Sequence, residues 1–464
     1  MKFFSSFLVV FLLFIYPTFS QDKFQEIDQF LEQEMQTWKI PNIALAITNK
    51  DSILYIKEYG KDNSKGNYLI GSVAKSFTAI SVMQLVEKGK LELDKPVKTY
   101  LEWFELTDKS LSNKITVRHL LQHTSGLPKN AGFFTPTSTV QNEIEQAYQE
   151  YLLGLEINAD FIGKTHVYCN LNYEILGQLI EKVSGLKYAE YVTKFIFQPL
   201  KMNNSFARET DIKTIGLKNG YQYIFGFPIQ KTVKYNDNGT AAGNIASNPK
   251  DMAFFLQMLL NKGRFGSDTL LQQQTLDSMH VPFSKRYGMG FSIGKWNGLH
   301  SIRHTGLSAN YSSAINILPD QNYGIVILTN INGFTEIHNL MDGVIIRLNN
   351  QEKIEYRPDE MYFRYFLLAL SLWHIFDFVR KLIHWKKLGF ATKFVNNKKW
   401  ILTGLFGIFI SSIWLIIIPI YMETPLSAMP ILQPDLGYTL IFGSILGVVN
   451  TVIHYFIKTS QSNT

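Results

Sequence analysis

Residues 68–87 read YLIGSVAKSFTAISVMQLVE. A short apolar run ends at Gly71, and Ser72-Val73-Ala74-Lys75 then opens a stretch with helical character. Lys75 is the only charged residue between Val73 and Val86. Ala74, Phe77, Ala79, Ile80, Val82, Met83, Leu85 and Val86 make the helix apolar on most sides, and such a helix is buried. A lysine inside it must be paired or lower its pKa, and a lysine with a lowered pKa can act as a base. Ser72 and Lys75 lie one turn apart on the same face. The helix N-terminus would offer N–H groups and a positive dipole end to a developing oxyanion. Spacing alone leaves a second reading open, in which Ser72 only caps the helix and Lys75 reaches solvent.

Ser-x-x-Lys occurs twice more, at Ser184–Lys187 and Ser247–Lys250. Ser184 precedes Gly185 at a helix end, and Ser247 stands two residues before Pro249. Neither pair is expected to share a regular helix face.

Around this stretch the pattern is mixed. Phe24–Lys39 predicts an amphipathic helix, and Ile43–Thr48 with Ser52–Tyr59 predicts a hairpin around Asn49-Lys50-Asp51. Further helices are expected at 117–123, 139–155, 173–183, 251–262 and 335–348, and strands at 290–293, 312–318 and 323–329. Strands at both ends with helices between predict an α+β domain over 21–355, its antiparallel sheet joining the two ends and flanked by helices, with a helical subdomain.

The chain has 464 residues and a formal charge of +7. That balance raises nucleic acid as a partner. Its distribution argues otherwise. From Tyr356 to Thr464 there are 10 Lys/Arg against 5 Asp/Glu, leaving 35 against 33 in residues 1–355. The large N-terminal part is nearly neutral and has no basic run, so no nucleic-acid partner is expected. The single cysteine, Cys169, excludes an intrachain disulfide and reads as a small buried side chain.

The ends carry targeting and membrane signals. Residues 1–20 read as a signal peptide: Lys2, an apolar run from Phe7 to Tyr16, and Thr18-Phe19-Ser20 as a cleavage site. Residues 356–464 read as a membrane domain with spans at about 400–421 and 436–457, each free of Lys, Arg, Asp and Glu, and a weaker one at about 362–379. The loop holding Arg380, Lys381, Lys386, Lys387, Lys393, Lys398 and Lys399 falls in the cytoplasm only if all three cross and the N-terminal domain is outside, as the positive-inside rule requires. His374 and Asp377 share a helix face. Asp377 lies near Arg380 at the inner interface, so the pair reads as structural.

G-x-S-x-G, H-E-x-x-H, Walker A and G-x-G-x-x-G motifs are absent, and no metal or cofactor is expected. Two further motifs follow Ser72-x-x-Lys75: Tyr168-Cys169-Asn170, and His304-Thr305-Gly306 ahead of the closing strands. The set, in this order, resembles that of the penicillin-recognising serine enzymes, and most of all the branch holding class C β-lactamases, D-Ala-D-Ala carboxypeptidases and related esterases. Ile115-Thr116-Val117-Arg118-His119-Leu120-Leu121-Gln122-His123-Thr124-Ser125-Gly126-Leu127-Pro128, Asn172–Gly177, Phe197–Leu200 and Tyr287–Phe291 are similar to this family as well. The resemblance covers about residues 24–350 and not the membrane spans.

It implies a serine β-lactamase/transpeptidase-like fold in which Ser72 forms an acyl-enzyme and Lys75 and Tyr168 share the base role. The N–H groups of Ser72 and Leu307 would form the oxyanion hole, Asn170 would bond the substrate amide, and His304 would orient a substrate carboxylate or the Tyr168 hydroxyl. Thr305 and Gly306 complete the binding edge. His304 stands where many relatives have lysine, and histidine is charged only part of the time near neutral pH. Leu307–Asn310 departs from the usual glycine- and proline-containing turn and leaves substrate choice open. His123 reads as part of a structural turn, and His166 has no assigned role.

The expectation is a multi-pass, membrane-anchored serine hydrolase facing the periplasm or exterior. Its substrates would be small peptides, amides or esters, with peptidoglycan stem peptides or D-amino-acyl peptides foremost. The alternative is a non-catalytic cell-wall sensor or binding protein using the same pocket.

Overall fold

Asn49 makes the first turn of the chain's sheet: its Oδ1 accepts the N–H groups of Asp51 and Ser52, each at 2.8 Å. In the computed structural model, which describes residues 16–60, 66–232, 236–283, 286–352, 359–388, 398–422 and 424–461, this turn joins β1 (Asn42–Thr48) to β2 (Ile53–Gly60). Four strands from the far end of the domain complete the sheet: β3 (Ser292–Trp296), β4 (Leu299–Leu307), β5 (Ser312–Leu318) and β6 (Tyr323–Thr329). The order is β2-β1-β6-β5-β4-β3 and every pairing is antiparallel. β1 meets β6 with Ile43 opposite Thr329 and Thr48 opposite Gly324, so the two ends of the domain join in the middle of the sheet. The α+β architecture expected from the sequence is therefore the one that forms.

Every residue of β1 and β5 is buried. Alternate side chains of a strand point to opposite faces, so helices must cover both sides. Five helices matter here: α1 (Tyr16–Thr37), α2 (Ala74–Glu87), α3 (Asn170–Ser184), α4 (Pro249–Leu260) and α5 (Phe334–Leu348). α1 meets α5 where Phe30 lies over Gly343; a Cβ there would fall 1.9 Å from the Phe30 ring. α4 starts at Asn248, whose side chain accepts the Asp251 N–H at 3.0 Å, with Pro249 as its first residue. It lies over β1 and β6, with Leu256 against Gly324. α2 is the axis of the helical part, and its Phe77 stacks on Phe255 at 4.1 Å and meets the edge of Phe197 at 5.8 Å.

Two expectations are adjusted. Helix α1 is longer than 24–39 at its start; residues 1–15 of the expected leader lie outside the described residues, and Tyr16–Ser20 continue α1. His304-Thr305-Gly306 precedes the closing strands β5 and β6 as expected, but is itself part of a further strand, β4, that the pattern did not predict. The other two Ser-x-x-Lys pairs stay off regular helix faces: Ser184 ends α3 before Gly185, which has φ +75°, and Ser247 is in a two-residue strand ahead of α4.

A second unit comprises Gln222–Ile229 and the residues from Pro358 onward, while Met1–Tyr221 with Gln230–Arg357 form the first. It contains α6 (Asp359–Lys387), α7 (Lys398–Met422) and α8 (Pro434–Gln461). Leu402–Met422 and Pro434–Ile457 are long and apolar enough to cross a membrane, with mean hydropathies of 2.3 and 1.9. The third expected span, 362–379, lies within α6 but is not among the helices that meet this measure. Small residues bring α7 and α8 together, Gly407 against Thr451 and Gly447 against Ser411. Asp377 pairs with Arg380 at 2.7 Å and Lys381 at 2.6 Å, on its own helix. The segment 222–229 is the tip of a hairpin; its Phe225 N–H donates to Asp435, and Arg364 lies 3.9 Å over the Tyr223 ring. Residues 389–397 of the basic loop lie outside the described residues.

Candidate active site

Ser72 sits in the 3₁₀ turn Gly71–Val73 that leads into α2. Two glycines let this turn lie backbone to backbone against the end of β4. A Cβ on Gly71, whose φ is +51°, would fall 2.5 Å from the Leu307 nitrogen, and one on Gly306 would fall 1.9 Å from the Ile70 carbonyl oxygen. Ser313 Oγ then donates to that same Ile70 oxygen at 2.6 Å. The Leu307 nitrogen, far from Ser72 in sequence, is thereby brought close to the turn that carries the serine.

α2 is buried from Ala74 to Leu85, as its composition requires. Its hydroxyls are satisfied inside the protein: Ser76 Oγ donates to Gly290 O at 2.7 Å, Thr78 Oγ1 to Ala241 O at 2.7 Å, and Ser81 Oγ to Phe77 O at 2.9 Å. Lys75 is fully buried and does not reach solvent. Its Nζ makes three hydrogen bonds, to Ser72 Oγ at 3.0 Å, Asn170 Oδ1 at 2.8 Å and Ala242 O at 2.6 Å. Three acceptors match the three protons of an ammonium. Burial nevertheless dominates and brings the lysine down to about 7, with the Glu174 carboxyl opposing that fall.

Tyr168 comes from the loop ahead of α3. Its hydroxyl is also in hydrogen-bonding reach of Ser72, and its ring centroid lies 5.1 Å from Lys75 Nζ. Burial pushes the phenol well above its ordinary range. Asn170 is the first residue of α3; its Nδ2 donates to Gly132 O at 3.2 Å while its Oδ1 takes the lysine. Cys169 between them is buried, its thiol pushed up to about 12 by burial, as befits a packing residue.

His304 behaves differently from a charged binding residue. It is 5% exposed, and burial followed by the Lys75 charge pushes it down to about 3. Its Nδ1 donates to the Thr305 carbonyl at 2.9 Å, which leaves Nε2 to accept the Tyr287 hydroxyl at 3.0 Å. The Tyr168 and His304 rings are 6.5 Å apart and share no hydrogen bond among the described residues. Neutral His304 thus supplies no charge for a substrate carboxylate, and its free nitrogen is taken by Tyr287. Thr305 Oγ1 lies 3.4 Å from His338 Nε2.

The sequence shows Tyr287 and Glu174 only as members of family-like segments, 287–291 and 172–177, with no role of their own. Glu174 lines the pocket beside Ser72, accepts from Thr135 Oγ1 at 2.8 Å and Tyr148 OH at 3.0 Å, and is pushed up to about 7 by burial. Its signal was available: it follows Asn170 by four residues on a buried helix and shares its face. His123 is a turn residue with φ +56°. Its Nδ1 accepts from the Cys169 N–H at 3.2 Å, and its ring lies 4.3 Å from that of Tyr168, so it props the Tyr168–Asn170 segment from behind. His166 packs edge-on to His123 at 5.7 Å. The pocket itself is a cavity of about 220 Å³, in which Ser72, Asn170 and Glu174 face Leu307–Asn310.

Comparison with known proteins agrees with the fold. A family model described as Beta-lactamase matches residues 27–348. Protein flp of Staphylococcus aureus (strain MW2) is 26% identical over 323 residues, 68% of this chain; the chain spans 64% of that relative's length. An N-acetylmuramyl-L-alanine amidase of Bacillus subtilis (strain 168) is 26% identical over 366 residues, 67% of this chain and 82% of that one. Among solved structures, an octameric penicillin-binding protein homologue from Pyrococcus abyssi superposes with a TM-score of 0.60 at 25% identity, covering 71% of this chain and 78% of its own. A class C β-lactamase in complex with cefoxitin gives 0.60 at 20% identity over 71% and 99%, a likeness of fold. The chain belongs to the beta-lactamase family, and its first unit is a serine β-lactamase-like α+β fold.

Proposed function

We propose that the chain is a membrane-anchored serine hydrolase that works through an acyl-enzyme on Ser72. The observation that carries the reading is the contact of a fully buried lysine with the serine: Lys75 Nζ lies 3.0 Å from Ser72 Oγ, on a buried helix with no other charged residue before Glu87. At about 7, Lys75 is neutral in a large fraction of molecules near neutral pH and can take the serine proton. Tyr168, pushed up by burial, keeps its proton there, which favours Lys75 as the first base.

Ser72 Oγ attacks the substrate carbonyl as its proton passes to Lys75. The oxyanion is met by the N–H groups of Ser72 and Leu307. The tetrahedral intermediate collapses as Tyr168 O–H gives its proton to the leaving group, and the Lys75 ammonium restores the Tyr168 proton. Water then attacks the ester and releases the acid and Ser72. Asn170, already bonded to Lys75 and Gly132, holds the lysine toward the serine.

The B. subtilis relative named as an amidase of N-acetylmuramyl-L-alanine bonds and the penicillin-binding homologue support a cell-wall peptide or D-amino-acyl peptide as substrate. In this reading α6, α7 and α8 all cross the membrane, with the hydrolase outside and the basic loop after α6 inside. The test is intact-mass spectrometry of the full-length protein in detergent after exposure to a fluorophosphonate and to penicillin. A single adduct that maps to Ser72 and is missing from Ser72→Ala supports the hydrolase. No adduct from either probe points to a non-catalytic binder instead.

A further inference from the structure

The catalytic pocket of about 220 Å³ is smaller than the roughly 300–1,000 Å³ that ligand sites usually occupy. It adjoins a second cavity of about 850 Å³, and Leu69 and Asn310 line both. The two cavities are therefore neighbours, and Ser72 lines the smaller one. The wall of the large cavity is mostly apolar near Leu69, Ile212, Leu217 and Tyr311, but its charges are uneven: Lys213, Lys218 and Lys231 against Glu209. Lys213 is paired with Glu209 at 2.5 Å and Lys218 with Glu58 at 2.8 Å. Lys231 has no ion pair among the described residues.

The backbone holds Lys231 in place. Its N–H donates to Gly220 O at 2.9 Å, and its carbonyl accepts Asn310 Nδ2 at 2.9 Å. Gly220 is needed at that point, because a Cβ there would fall 2.1 Å from Asn310 Nδ2. Asn310 is 4% exposed and its Oδ1 is buried with no hydrogen-bond partner. A buried carbonyl oxygen left unpaired costs free energy that a ligand N–H would recover. Asn310, which lines both cavities, thus carries an unpaired acceptor of the kind a peptide N–H satisfies, and Lys231 adds a cation to the larger cavity.

We propose that the second cavity is a substrate subsite for an anionic, peptide-like arm, giving an N–H to Asn310 Oδ1 and a carboxylate to Lys231. The inference rests on the serine hydrolase reading and adds a substrate class to it. It also relocates the anion-binding role away from His304, which is neutral in its own pocket.

The test compares four esters on the full-length protein: an N-acetyl or an N-succinyl acyl arm, each with a neutral thioethanol or an anionic thioglycolate leaving group. The expected result is a kcat/KM about tenfold higher for the carboxylate on one of the two sides, the side showing which arm enters the cavity. In Lys231→Glu that ratio falls to one or below, while Lys213→Glu keeps it. The advantage also shrinks in high salt. Equal kcat/KM for all four esters, or a ratio untouched by Lys231→Glu, overturns the subsite and leaves the hydrolase standing. No turnover and no Ser72 adduct with any ester removes the hydrolase reading and the subsite with it.

Discussion

Lys75 depends on two opposed influences: burial lowers it, and the charge of the Glu174 carboxyl raises it. Glu174→Gln removes the second influence. The acid limb of the acylation profile is therefore expected to move to lower pH, as read by rapid-quench acylation between about pH 5 and 8. An unmoved limb would show that Glu174 acts only through Thr135 and Tyr148. The identities and order of Ser72, Lys75, Tyr168, Asn170 and His304-Thr305-Gly306 were legible in the sequence, because each motif is local. Their charge states were not. A histidine at 304 reads as half-charged near neutral pH, but burial and the Lys75 charge keep it neutral and Tyr287 occupies its nitrogen. Tyr287 was legible only as part of a family-like segment and not by role, since that role depends on β4 folding back beside it.

Elements place these residues through close backbone contact, and glycine decides whether that contact exists. Gly306→Ala puts a Cβ 1.9 Å from Ile70 O, in backbone that the Ser313 hydroxyl also holds, so the turn carrying Ser72 must move away from β4. The expected result is a loss of more than about 3 kcal/mol in denaturant titration together with a fall of about a hundredfold or more in acylation rate. Gly185→Ala is the contrast. Nothing lies within 4 Å of its Cβ, and φ +75° costs only about 1–2 kcal/mol, with acylation kept. A Gly306→Ala protein that acylates like wild type would separate the oxyanion site from β4. The same contacts explain what was hard to read. β1, β2, β5 and β6 are rich in branched and aromatic residues and were visible. β4 holds His300, Ser301, Arg303, His304, Thr305 and Gly306, and it is a strand because β3 and β5 pair with it on either side.

At the scale of the whole chain, most of the excess of base belongs to residues 356–464, and the β-lactamase-like part before them is close to neutral. α7 exposes Leu402, Phe406, Ile416 and Ile420, and a large exposed apolar surface of this kind needs lipid or a partner. Its length and apolarity, and those of α8, were legible without the structure. α6 was legible as a helix, but Arg364 and Asp377 weaken it as a span, and only the placement of the basic loop argues for its crossing. Because Cys169 is buried, single introduced cysteines report topology cleanly. Ser52→Cys is expected to react with a membrane-impermeant maleimide on intact cells, and Lys387→Cys only after permeabilisation. Labelling of both on intact cells would leave α6 outside the membrane and reduce the spans to two. The central claim, that Ser72 is the nucleophile and buried Lys75 its base, is tested most directly by the rate of Ser72 adduct formation with penicillin on the membrane-embedded protein from about pH 5 to 9. The account predicts a rate that rises about tenfold per pH unit below about 7 and levels off above it, with no adduct in Ser72→Ala. A rate independent of pH over that range, or an adduct that persists in Ser72→Ala, would contradict it.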